Sequence, residues 1–167
     1  VTLINPEPHF WYSGRASAVL GGQRTPEENR VPLAPLGERA GVRFIRDRCL
    51  ALDPVEDRLE RPGGAPLPFD WLSLNTGSRA DPGRIDGADR FARAPKPISG
   101  VWPLHREEVK AIATQAKDGP PLAVAVVGAG ATVGELAANA AWLGTALGGN
   151  LDVTLYHPGE RVLSAYS

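Results

Sequence analysis

The chain opens on a short apolar, β-branched run, Val1-Thr2-Leu3-Ile4, stopped by Pro6 and Pro8; this pattern predicts a buried strand ending in a loop. Between residues 10 and 22, Phe10-Trp11-Tyr12 leads into small residues and then Gly21-Gly22. Two readings stay open there: a surface on which a flat ligand lies closely, or an aromatic-anchored helix start. Residues 33–39 have the pattern of a short helix closed by Gly41, and Val42-Arg43-Phe44-Ile45 alternates with the period of a strand. Residues 49–53, a turn at Asp53-Pro54, residues 58–61, Pro62-Gly63-Gly64 and the apolar run 69–74 then read as a strand-rich meander. Residues 79–100 are dense in Gly, Pro, Asp and Arg without periodicity, which predicts a linker and a domain boundary near Gly100. A helix is expected over 102–117, with Glu107 and Glu108 near its start and Lys110 and Lys117 later, an order of charge that suits the helix dipole.

The segment that carries chemistry follows. Leu122-Ala123-Val124-Ala125-Val126-Val127 reads as a buried strand entering Gly128-Ala129-Gly130-Ala131-Thr132-Val133-Gly134-Glu135, and an alanine-rich helix runs on to Leu147. The first glycine permits a tight turn, the second lets a pyrophosphate approach the backbone, and the helix directs its first N–H groups at the negative charge. Gly128, Gly130, Ala131, Thr132 and Val133 are therefore candidate nucleotide-binding residues. About 20 residues on, Leu151-Asp152-Val153-Thr154-Leu155-Tyr156 supplies a second parallel strand whose end meets an adenosine ribose. The bland alternative is a glycine-rich strand-helix corner. Two departures stand out. Val133 occupies the usual third glycine position, with Gly134 one residue later, so looser helix-strand packing is expected. The strand end carries His157, with Arg161 beyond, where an acidic residue would favour NAD over NADP. That choice stays open, as does whether His157 is a ribose ligand or a polar loop residue.

Composition narrows the field. With 43% hydrophobic residues, 22% charged residues and a net charge of −1, the chain has no electrostatic footprint for nucleic acid. Its apolar stretches are broken well short of the roughly 20 residues of a membrane span. No signal-peptide pattern opens the chain, and Cys49, the single cysteine, cannot form an internal disulfide, so a cytoplasmic setting is expected. The chain lacks His-Glu-x-x-His, Cys/His metal spacing and a Gly-x-Ser-x-Gly nucleophile turn; His9, His105 and His157 are scattered, and no metal is expected. Val stands first, and a buried parallel strand usually follows an earlier β-α unit, so the chain reads as a fragment.

Taken together, the residues resemble the FAD-dependent pyridine nucleotide-disulfide oxidoreductase superfamily, in its type II NADH dehydrogenase-like branch. Within it the resemblance is to the subgroup found alone or fused to selenide, water dikinase. It rests on Val1 to Pro6, Tyr12-Ser13-Gly14 with Gly21-Gly22, and Ala40-Gly41-Val42-Arg43-Phe44-Ile45. It continues through Phe69-Asp70-Trp71-Leu72-Ser73-Leu74-Asn75-Thr76-Gly77-Ser78, Pro95-Lys96-Pro97 and the glycine motif. The implied fold is α/β, with two Rossmann-like FAD- and NAD(P)-binding domains, both incomplete. Residues 1–100 form a partial FAD-binding domain without its first β-α unit, and 101–167 form the first part of an NAD(P)H-binding domain. The implied activity is hydride transfer from NAD(P)H to FAD and on to a quinone or another acceptor. The resemblance also implies peripheral contact with the inner face of a membrane, through a C-terminal region absent here.

By the same resemblance Asn5 falls at the FAD ribose, where an acidic residue is commoner, and the main chain of Cys49 falls beside the adenine. Thr76 and Gly77 would lie against the FAD pyrophosphate or ribityl chain; the alternative is an ordinary strand-end turn. Lys96 would stabilise negative charge on the reduced flavin; the alternative is a solvated linker lysine. Glu135 is the candidate catalytic residue, orienting the nicotinamide amide; the alternative is a carboxylate that simply suits the helix dipole. A lone cysteine is no redox pair, which implies that electrons leave the flavin directly. Two rival readings remain: a non-catalytic NAD(P)-binding or sensor module without flavin, and a scaffold piece with an open sheet edge.

Overall fold

The computed structural model describes residues 1–160 apart from Pro82, Arg84 and Lys117, so Lys117 and Arg161 lie outside the described residues. The chain divides into two compact units, Val1–Trp11 with Arg30–Gly77, and Tyr12–Asn29 with Ser78–Ser167.

In the first unit, strand β1 (Thr2–Asn5) pairs in parallel with β4 (Arg43–Arg46), Leu3 opposite Phe44 and Ile4 opposite Ile45. Strands β2 (His9–Trp11) and β3 (Arg30–Pro32) form an antiparallel pair. Helix α3 (Leu33–Ala40) leads into β4 and ends as its glycine predicts. Gly41 takes φ 66°, a left-handed cap open to glycine, and the Val42 N–H donates to the Gly37 carbonyl at 2.8 Å. Strands β5 (Ala51–Asp53), β6 (Arg58–Glu60) and β7 (Leu67–Pro68) make an antiparallel sheet in chain order. The β5–β6 turn is built by Asp53, whose Oδ1 accepts the N–H groups of Val55 and Glu56 at 3.0 and 3.1 Å. Asp47 ties this sheet's loops together, accepting from the Arg48 and Gly63 N–H groups and from Arg61 Nη1.

Two expectations change here. The first strand is not buried: Thr2 and Leu3 are exposed, and only Ile4 and Asn5 are half-covered. The apolar run 69–74 is not a strand either. The ladder stops at Pro68, the Phe69 N–H makes one last bond to the Asp57 carbonyl at 2.9 Å, and beyond it Trp71 is 95% exposed with no described strand paired to the segment.

The second unit holds helices α1 (Ala16–Leu20) and α2 (Pro26–Asn29), then α4 (Ala88–Phe91) and α5 (Val101–Ala113). Strand β8 (Leu122–Val127), helix α6 (Ala131–Ala146) and strand β9 (Leu151–Tyr156) complete it. The last three form the expected β-α-β unit, with β8 and β9 parallel and in register from Leu122 opposite Leu151 to Val127 opposite Tyr156. The core joins Ala16, Val19 and Leu20 of α1 to Val101 and Leu136, with Ile98, Trp102 and Leu104 packed against them. His105 stacks on Trp102 at 4.7 Å and bonds the Leu20 carbonyl through Nδ1 at 2.7 Å, satisfying the end of α1.

Within the stretch read as a linker, the structure forms α4 and a 3-10 turn at Ile98–Gly100. Helix α5 starts at Val101, which leaves Glu107 and Glu108 in its second turn and no acid in its first. Strand β8, expected to be buried, alternates between half-buried Leu122, Val124 and Val126 and exposed Ala123, Ala125 and Val127. The two-stranded sheet is covered on one face only.

Candidate functional site

The glycine turn grows directly out of the β8–β9 ladder. The Gly128 N–H donates to the Tyr156 carbonyl at 2.9 Å, adding a rung past the last paired residues. Gly128 then turns the chain at φ 145°, a conformation that side chains other than glycine rarely adopt. Val133 occupies the space above it: a Cβ on Gly128 would lie 2.7 Å from Val133 Cγ2. Glycine is required here twice, by backbone angle and by packing.

Gly130 differs. It is the N-cap of α6 with an ordinary φ of −82° and ψ of 166°, and a Cβ built there would meet nothing within 4 Å. The absent side chain leaves the backbone bare to whatever lies outside. No side chain caps α6, and the Val133 N–H donates to the Gly130 carbonyl at 3.0 Å. The N–H groups of Ala131 and Thr132 thus stand at the positive end of a 16-residue helix without intrahelical acceptors. This is the arrangement that binds a phosphate. The place of closest helix-strand packing is not Gly134, which is in open space, but Gly144, where a Cβ would lie 2.8 Å from Leu151 Cδ1.

His157 follows Tyr156, next to the turn across the strand ends. It is half-buried, and its Nδ1 is buried without a partner among the described residues. A ring nitrogen so placed has unused hydrogen-bonding capacity toward a hydroxyl. Glu135, in the first turns of α6, is held from outside its own helix. Its Oε2 accepts a hydrogen bond from Ser17 Oγ on α1 at 3.1 Å. Sequence reasoning passed over Ser17; its only signal is a small polar residue four positions before Gly21, marking a helix face that can approach another closely.

The structure thus gathers Gly128, Gly130, Ala131, Thr132, Val133, Glu135 and His157 at one end of the β-α-β unit. Lys96 is half-buried in the second unit, ahead of α5. Asn5, Cys49, Thr76 and Gly77 belong to the first unit. Asn5 closes β1 and donates through Nδ2 to the Glu7 carbonyl at 2.7 Å, leaving its Oδ1 available; Cys49 is exposed. Thr76 and Gly77 are exposed, and Gly77 has φ 75° with open space around it, so its backbone can be approached closely.

A cleft of about 970 Å³ lies against β8, lined by Ile85, Phe91, Leu104 and Ile112 and reaching Val127 and Val133 at the glycine turn. Glu108 of α5 reaches it with Oε2 buried and unpartnered among the described residues, and burial pushes its carboxyl up to about 7. Among the described residues no helix is long and apolar enough to cross a membrane, and no group of three or more His, Cys, Asp or Glu converges to hold a metal ion.

No known family profile matches the chain. Among curated proteins, the sulfide-quinone reductase of Aquifex aeolicus is 29% identical over 79 residues, covering 47% of this chain and 18% of its own. Mouse nidogen-2 is 29% identical over 117 residues, 63% of this chain and 8% of its own. The solved NDH2 of Plasmodium falciparum in complex with NADH superposes on 100% of the chain with a TM-score of 0.84 at 16% identity. The chain shares the fold of that NADH-bound structure over its whole length. A ferredoxin reductase from Rhodopseudomonas palustris shares this fold over 99% of the chain, with a TM-score of 0.76 at 20% identity. The chain spans 38% of the length of each of these two structures.

Proposed function

We propose that the chain is part of a FAD-dependent NAD(P)H oxidoreductase of the NADH dehydrogenase-like kind. In this reading residues 1–100 contribute to the FAD-binding domain and residues 101–167 form the first part of the NAD(P)H-binding domain. The observation that carries it is the bare backbone of Gly130 at the uncapped N-terminus of α6, between two parallel strands. When bound, NAD(P)H supplies a hydride that FAD accepts and passes on as electrons to a quinone or another carrier.

The residues divide the work. Gly128 makes the turn with Val133 packed over it, Gly130 admits the pyrophosphate, and the N–H groups of Ala131 and Thr132 stabilise its charge. His157 faces the adenosine ribose, and Glu135 orients the nicotinamide amide. In the first unit Asn5 would accept from the ribose of FAD, the Cys49 main chain would border the adenine, and Thr76 and Gly77 would hold the pyrophosphate or ribityl chain. Lys96 balances negative charge on the reduced ring. The range of electron acceptors is supported by the names of proteins sharing the fold, among them a sulfide:quinone oxidoreductase and a putidaredoxin reductase joined to putidaredoxin.

The test is the absorbance spectrum of the full protein that carries this chain, recorded anaerobically before and after NADH or NADPH. A yellow protein bleached by one of the two supports the reading and names the donor. A colourless protein that still binds nucleotide overturns it in favour of a sensor module.

A further inference from the structure

We infer that Ser17 is a positioning residue for Glu135, a role that rests on the reading of Glu135 as the group that orients the nicotinamide. The two residues are 118 positions apart and meet because α1 packs on α6. That approach is unusually close at the next turn, where a Cβ on Gly21 would lie 2.5 Å from Asn139 Oδ1. Ser17 and Gly21 are four apart on one face of the α1 segment, and Glu135 and Asn139 are four apart on the facing side of α6, so the seam between them is short and polar.

Ser17 is 9% exposed, so its hydroxyl must find a partner inside the protein. It lies in the first turn of α1, directly after a 3-10 turn over Ser13–Arg15, and its hydroxyl turns across the seam toward α6. The bond runs from Oγ to Glu135 Oε2 at 3.1 Å. Glu135 is otherwise an exposed side chain with free rotamers on the helix surface. Fixing one oxygen selects one rotamer and leaves Oε1, which accepts no bond among the described residues, to receive an amide N–H. A neutral hydroxyl achieves this without setting a countercharge against the carboxylate.

The test compares Ser17→Ala, Ser17→Cys and Ser17→Thr with Glu135→Ala and the Ser17→Ala/Glu135→Ala pair in the full flavin-loaded protein. The readouts are the limiting rate of flavin reduction by NAD(P)H and the nucleotide Kd. Ser17→Ala and the near-isosteric Ser17→Cys are expected to slow limiting reduction about 5- to 10-fold with Kd held within about twofold, the pattern of lost orientation. Ser17→Thr is expected to restore most of the rate. In the Glu135→Ala background the serine change is expected to add nothing, because its route to the chemistry is gone. Independent effects that multiply in the pair overturn the inference, as does a parent-like rate in Ser17→Cys while Glu135→Ala is slow. A parent-like rate in Glu135→Ala alone instead removes the assigned role of Glu135, and that of Ser17 with it.

Discussion

Replacing Glu108 with glutamine keeps the shape of the side chain and removes its ionisation, so it isolates the effect of a carboxylate forced toward an apolar cleft. Burial raises the Glu108 carboxyl from 4.5 to about 7, with Oε2 unpartnered. Because the folded state holds this proton more tightly than the unfolded chain, the stability it contributes is full below the ordinary carboxylate range. It is lost as pH rises through the folded value near 7. A tenfold change in proton affinity is about 1.4 kcal/mol, which sets a ceiling of about 3 kcal/mol. The side chain keeps contact with water, and screening lowers the expected effect to about 1–2 kcal/mol. Glu108→Gln is therefore expected to match the parent near about pH 5 and to exceed it by that amount at about pH 8.5. Urea unfolding followed by circular dichroism across this range measures it, through midpoints compared at equal slope. An offset that stays constant with pH, or a parent that gains on the variant as pH rises, would refute the reasoning.

Gly130→Ala tests the nucleotide site apart from the fold. Its ordinary φ and open surroundings predict a thermal midpoint close to the parent, while NAD(P)H affinity falls about 10-fold or more; equal affinity would count against pyrophosphate contact there. Gly144→Val places branched carbon where Leu151 already lies 2.8 Å from the Cβ position, and should destabilise the protein by about 1–3 kcal/mol; an unchanged unfolding midpoint would show that α6 and β9 are not packed as described. The Asp47 carboxyl is held below its ordinary value chiefly by the Arg48 N–H, then by Arg61 and the Gly63 N–H. Its contribution is present above the ordinary carboxylate range and lost on acidification, so Asp47→Asn should unfold at lower denaturant at neutral pH, with a gap that narrows as pH falls.

Several elements are legible because their causes are local. Gly41 ends α3 in the left-handed cap its sequence predicts. The run from Leu122 to Tyr156 forms strand, glycine turn, helix and strand because periodicity and one special backbone angle at Gly128 lie within a few residues of each other. The run 69–74 misleads for the converse reason. Strand propensity is a demand for a neighbour, and a local apolar pattern cannot say whether a backbone edge lies alongside. The helix-strand close approach at Gly144, not at the motif's third glycine position, is hidden in the same way, since it depends on which side chain of β9 arrives opposite.

The sequence by itself determined the turn at Gly128, the bare position at Gly130 and the helix that follows, and with them the chemistry of an anion site. Those properties belong to backbone angles and to the missing side chain of single residues. Only the tertiary structure decided that residues 12–29 join the second unit, that Ser17 reaches Glu135, and that Glu108 loses water. Each of these depends on the distance between segments far apart in the chain, which packing sets and local periodicity does not record.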